Sequence, residues 1–138
     1  MRLWHQKLIP YLDNQRLLGQ HRECCALRGN GWGKKHSVVD YVFTKNPCEL
    51  IAYHYLIMDE MNNRGFNLSD SWRNPYYRGK VLGVDNKFTD ADFVDDDYCY
   101  AIHKHGLIFD EHNATYLKEC IDLLKKKGAP IDWSKVNV

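Results

Sequence analysis

The chain has 138 residues, of which 44% are hydrophobic and 13% aromatic; that is enough to build one core and too much for a disordered segment. No run approaches the roughly 18 apolar residues of a membrane span, and Met1-Arg2-Leu3-Trp4-His5 lacks the apolar stretch of a secretory signal. The net charge of +1 hides a gradient: residues 1–37 carry seven Lys and Arg against two acids, and residues 81–112 carry eight acids against two Lys. A molecule polarised in this way can steer a polyanion onto one face, although two solvated faces would look the same. Adjacent Cys24 and Cys25 with scattered Cys48, Cys99 and Cys120 do not form a disulfide framework, so reduced thiols in a cytoplasmic protein are expected.

Three stretches predict helices. The first runs from about Asp13 to Arg28, with Asp13 as N-cap and Gly29 just past its end. The second begins with Asn46 as cap, Pro47 at the first helical position and Glu49 closing a capping box, and it stops at Gly65 after Arg64. Leu50, Ile51, His54, Ile57, Met58 and Met61 supply its apolar stripe. The third spans about Asn113 to Lys127 on a stripe of Leu117, Cys120, Ile121 and Leu124. Lys125, Lys126 and Lys127 suit the negative end of its dipole, and Gly128 and Pro130 end it.

The connections read less sharply. Gly29-Asn30-Gly31-Trp32-Gly33-Lys34-Lys35-His36 is a loop without the spacing or the Lys-Ser/Thr ending of a phosphate-cradling P-loop. Residues 38–43 (Val-Val-Asp-Tyr-Val-Phe) fit a short strand or an extended buried segment, and residues 66–112 are turn-rich, with short extended pieces at 80–84 and 99–108. The expected fold is mainly α: a compact single domain over 1–138 with three principal helices and long irregular connections.

At about 100° per residue, Leu17, Leu18, His21, Cys24 and Cys25 fall on one half of the first helix, which reads as its core face. Gln15, Arg16, Gly19, Arg22, Glu23 and Ala26 fall on the other. Gly19 and Ala26 leave room for a bulky partner, and Arg16 and Arg22 are suited to phosphate. A surface built only to hold a polyanion would avoid Glu23, whereas a carboxylate acting on a sugar or base is served by cations that keep it ionised. An exposed face of ion pairs is the competing account.

Leu12, Gln15, Leu17, Arg22 and Glu23 at this spacing, the Gly/basic loop ending in His36, the Val-x-x-x-Val-Phe segment and the Arg64-Gly65-Phe66-Asn67 helix ending resemble the pyrimidine-dimer DNA glycosylase/abasic-site lyase family of the phage endonuclease V type. The resemblance covers residues 1–70 well, the last helix and Trp133 loosely, and 71–110 hardly at all. It implies DNA repair by an N-glycosylase with β-elimination lyase activity that removes a damaged pyrimidine, a pyrimidine dimer in the family, from double-stranded DNA. It also implies a nucleophile that is the α-amine of the first residue, here Met1, or Arg2 if the initiator is removed, with Glu23 as the acid/base carboxylate. Arg2, Gln15, Arg16, Arg22, Lys34, Lys35 and His36 would bind DNA. The expected enzyme is a monomer with no cofactor and no metal. Arg16 stands where the family has His, Ala26 where it has Arg, and the aromatic, basic tail is reduced to Trp133 and Lys135. The rival readings are a nucleic-acid-binding protein on the same scaffold without the chemistry, and a module that docks an acidic protein.

Other constellations carry less. Cys99, His103, His105 and His112 match no familiar zinc spacing. Cys24 and Cys25 beside His21 are expected to be packing residues rather than nucleophiles. The aspartates of residues 90–97 lack the Gly and terminal Glu of an EF-hand and read as a solvated loop. Trp32 with Lys34, Lys35 and His36 is expected to contact DNA.

Overall fold

The computed structural model describes residues 2–34, 38–44, 47–85 and 106–138. Met1, Lys35, His36, Asn46, the aspartates of 90–97, Cys99, His103 and His105 lie outside the described residues, and with them the expectations placed there. Three α-helices carry the described architecture: α1 (Asn14–Arg28), α2 (Pro47–Asn63) and α3 (Ala114–Lys126). Among the described residues there is no strand, only an isolated antiparallel bridge between Tyr77 and Val84. The fold is mainly α.

Local chemistry sets the helix ends. Asp13 accepts a hydrogen bond from the Arg16 amide and Asn113 accepts one from the Tyr116 amide, each satisfying a donor that a first helical turn leaves open. α2 stops at Gly65, whose φ of 87° a side chain would resist, and the chain reverses so that the Phe66 amide donates to the Met61 carbonyl. Arg64 then ties this end to the entrance of α1, its guanidinium donating to the carbonyls of Leu12 at 2.6 Å and Pro10 at 3.1 Å.

α2 is the central element. Beyond its predicted stripe, Cys48, Ala52, Tyr53 and Tyr55 are also buried, so its N-terminal half is covered on most sides, while Asn62 and Asn63 at its end are exposed. α1 packs along it, as do two short 3-10 helices, Gln6–Tyr11 and Asp40–Thr44. α3 closes the core with Cys120 and Leu124.

Three expectations need correction. Residues 40–44 are a 3-10 helix, not a strand: Val39 and Val42, three apart, both reach the core, a spacing that a helical turn allows and that a strand would split between two faces. Cys48 is disulfide-bonded, so not all the thiols are reduced; among the described residues Cys24, Cys25 and Cys120 are free. The core face of α1 is also rotated from the expected one. It runs through Leu17, Gln20, Cys24, Leu27 and Arg28, leaving Leu18, His21 and Cys25 half-buried at its edge. Two polar residues, Gln20 and Arg28, lie on this face, and both find hydrogen-bond partners inside, although Arg28 Nε has none among the described residues. Arg28, with no exposed surface, donates to the carbonyls of Trp72 and Asn74 at 2.8 Å each and lies over the Trp72 ring.

Candidate active site

The face of α1 opposite the core opens on a cavity of about 500 Å³. Five expected site residues line it together: Arg2, Gln15, Arg16, Arg22 and Glu23. Gly19 also lines it, and a methyl group there would meet only the Arg22 guanidinium at 3.9 Å, so the middle of the cavity floor is kept low. Leu123 and Lys127, at and just past the end of α3, complete the wall. Neither was expected in the site from sequence, because only the tertiary packing of α3 beside α1 brings residue 127 near residue 23.

The lining is electrostatically lopsided: Arg2, Arg16, Arg22 and Lys127 supply four cations around one acid, Glu23. Arg16 is held by Asp13 at 3.3 Å and Arg2 by Glu119 at 3.2 Å. Arg22 and Lys127 are exposed and make no ion pair among the described residues, which leaves their charge available to a polyanion. Glu23 is half-buried, with its Oε2 shielded from solvent. A carboxylate in such a setting can act on a group bound in the cavity while the surrounding cations hold phosphates.

Residues 2–4 run along the edge of this cavity as an extended strap, held from both sides. The Gln20 side chain, buried in α1, donates from Nε2 to the Arg2 carbonyl at 2.7 Å and accepts at Oε1 from the Trp4 amide at 3.0 Å. Tyr53 of α2 donates its hydroxyl to the Trp4 carbonyl at 2.7 Å and lies 2.8 Å from Gln20 Oε1. From α3, Tyr116 donates to the Leu3 carbonyl at 2.6 Å. Burial pushes both phenols above their ordinary pKa, so they remain donors at any physiological pH. Gln20 was not singled out from sequence; a buried glutamine leaves no periodic signal.

The Gly/basic loop divides. Lys34 is exposed and does not line the cavity, whereas Val38 does. Trp32 is half-buried, packed edge-on against Phe43 at 5.0 Å between ring centres. Its ring packs partly against the core beside Phe43. Gly31 has no room for a side chain, since a Cβ would lie 2.7 Å from the Ala26 carbonyl oxygen.

Behind α1, away from the cavity lining, His21, Cys25 and His54 bring possible metal-ligand atoms within 4.8 Å of one another. The donor set does not suit a cation. Arg28 Nη1 lies 2.9 Å from His54 Nδ1 and can only donate, so Nδ1 accepts. His54 Nε2 then carries the ring proton and points it at His21 Nδ1, 2.8 Å away. The lone pairs a metal would need are engaged, and a buried guanidinium stands beside them. Burial holds both imidazoles below their ordinary pKa and pushes the Cys25 thiol up to about 11, which agrees with a packing role for the cysteine. His112, weighed above with Cys99, His103 and His105, is buried and hydrogen-bonded to the Gln6 amide and the Tyr41 hydroxyl.

Searches against curated proteins and solved structures gave no match. The pyrimidine dimer DNA glycosylase family matches over residues 1–74, which include α1, α2, the N-terminal strap and all of the cavity wall except the part from α3. The chain belongs to the pyrimidine dimer DNA glycosylase family, DNA-repair enzymes that act on damaged DNA.

Proposed function

We propose that the protein is a bifunctional DNA glycosylase and abasic-site lyase whose nucleophile is its own N-terminal α-amine. In this reading the neutral amine attacks the sugar carbon that bears the damaged base, a C–N bond forms, and the base departs with the electrons of the bond it breaks. The sugar opens to an imine. The Glu23 carboxylate assists the opening and then takes the proton whose loss drives β-elimination, expelling the 3′ phosphate. An α-amine of pKa ~8 is roughly a quarter neutral at pH 7.4, against about a thousandth for a lysine of pKa ~10.4. The nucleophile therefore needs no desolvated pocket.

One observation carries the reading: Arg2, the residue next to the proposed nucleophile, lines the same cavity as Glu23, and its carbonyl is held there by Gln20. Arg22 and Lys127 are assigned to the phosphates that flank the lesion, with Arg2, Gln15 and Arg16 orienting the strand. Reaching the sugar requires extruding a nucleotide from the duplex, a cost of a few kcal/mol that backbone contacts offset. Lys34, Lys35 and His36 are assigned to duplex outside the cavity, and the enzyme acts as a monomer.

Borohydride reduction in the presence of duplex DNA holding an abasic site tests the proposal. The expected product is a covalent adduct that maps to the N-terminal peptide. No adduct, with DNA binding retained, would favour a binder that lacks the chemistry, and an adduct on Lys34 would move the nucleophile.

A further inference from the structure

We infer that Gln20 is a positioning residue that sets the register of the N-terminal strap and so fixes where the nucleophilic amine is presented; this rests on the α-amine reading above. The Arg2 carbonyl and the Trp4 amide point to the same side of an extended chain, and in a parallel sheet one neighbouring strand would satisfy both. Here the primary amide of Gln20 takes that strand's place, its NH2 on the carbonyl at 2.7 Å and its oxygen on the amide at 3.0 Å. The match is directional. A slip of the strap by one residue would centre Arg2 or Trp4 on Gln20, with that residue's carbonyl and amide pointing away and the carboxamide left without its two partners. It would also displace the amine by about 3.3 Å.

Gln20 is suited to this because it is itself immobilised. It is 3% exposed. The Trp4 amide donating to Oε1 and the Arg2 carbonyl accepting from Nε2 set the orientation of the carboxamide, with the Tyr53 hydroxyl of α2 packed 2.8 Å from Oε1. On the far edge of the strap Tyr116 takes the Leu3 carbonyl, which closes the alternative register from the α3 side. Gln20, at the boundary between the core face and the cavity face of α1, also lines the cavity, one turn from Glu23. The side chain that holds the strap and the carboxylate proposed to act with the amine are thus fixed to the same rigid helix. That arrangement ties amine to acid without a direct contact between Gln20 and the reacting atoms.

The test uses the full chain with Gln20→Leu and Gln20→Glu, each first shown by circular dichroism to be folded at the assay temperature. Gln20→Glu keeps the shape but turns an oxygen toward the Arg2 carbonyl. Single-turnover trapping on abasic duplex should slow on the order of 100-fold in both variants, the effect of misplacing a reacting group by about 1 Å, while the Kd for the duplex changes less than about threefold. A one-residue glycine extension before Met1 supplies a readout that a purely structural role would not move. It should nearly abolish trapping in the otherwise unaltered chain and add little to the defect of Gln20→Leu, whose register is already lost. Hydrogen exchange at the Trp4 amide should be fast in Gln20→Leu and slow in the parent. If parent and variants trap at equal rates, the inference about Gln20 is overturned and the amine chemistry stands. If the parent itself gives no adduct, the amine reading fails and the positioning role fails with it, even should Trp4 exchange still show that Gln20 holds the strap.

Discussion

Replacing His112 with glutamine should make the protein less sensitive to mild acid. His112 has no exposed surface and is stacked between His5 and Tyr116, with ring centres 5.3 and 5.1 Å away. Its Nδ1 accepts from the Gln6 amide, so Nε2 carries the proton and donates to the Tyr41 hydroxyl. Burial, with a smaller contribution from His5, lowers its pKa to about 3. The folded protein therefore keeps this ring neutral while the unfolded chain takes up a proton near pH 6.5. Its contribution to stability is complete above that pH and is lost as pH falls from 6.5 toward 3. Linkage gives a loss of about 2 kcal/mol between pH 7 and pH 5 from this residue alone. Glutamine can accept from Gln6 and donate to Tyr41 but does not titrate. Urea unfolding at the two pH values should show the pH-dependent loss in His112→Gln smaller than in the parent by about 2 kcal/mol. Equal losses in the two proteins would refute the assignment of a neutral, buried His112.

Glu23→Gln should lower strand cleavage by about 100-fold or more, with duplex binding held or tightened because a carboxylate no longer faces the phosphates; cleavage at the parental rate would remove Glu23 from the mechanism. Lys127→Ala should weaken DNA binding regardless of sequence and reduce the slope of log K against log salt by about 1; an unchanged slope would mean that no phosphate reaches the α3 side of the cavity. Arg28→Met should cost about 3 kcal/mol in urea unfolding, because the carbonyls of Trp72 and Asn74 lose charged donors inside the fold. A loss under about 1 kcal/mol would show that water replaces the guanidinium there.

What could be read from the sequence follows the range of the physics involved. Asp13, Pro47, Gly65, Asn113 and Gly128 act on their own helix ends, and the helices begin and end where these residues indicate. The cavity face of α1 was legible for the same reason, since helical geometry alone puts Gln15, Arg16, Gly19, Arg22 and Glu23 side by side. The opposite face was misread because Gln20 and Arg28 are polar and yet inside. Their burial is possible only because the strap, Tyr53, Trp72 and Asn74 come from elsewhere in the chain to pair with them. The β-branched residues at 38–42 suggested a strand by local preference, but no neighbouring strand is present among the described residues, and the segment winds into a 3-10 turn that buries Val39 and Val42. Lys127 read as a helix-dipole residue, and its place in the site depends on how α3 docks.

The decisive quantity is the separation between the α-amine and the Glu23 carboxylate in a borohydride-reduced complex with abasic duplex, measured by crystallography. The account predicts the terminal nitrogen bonded to the opened sugar within hydrogen-bonding reach of Glu23, with Arg22 and Lys127 on the flanking phosphates. A sugar bonded to any other nitrogen, or an N-terminus on the far side of α1 from Glu23, would contradict it.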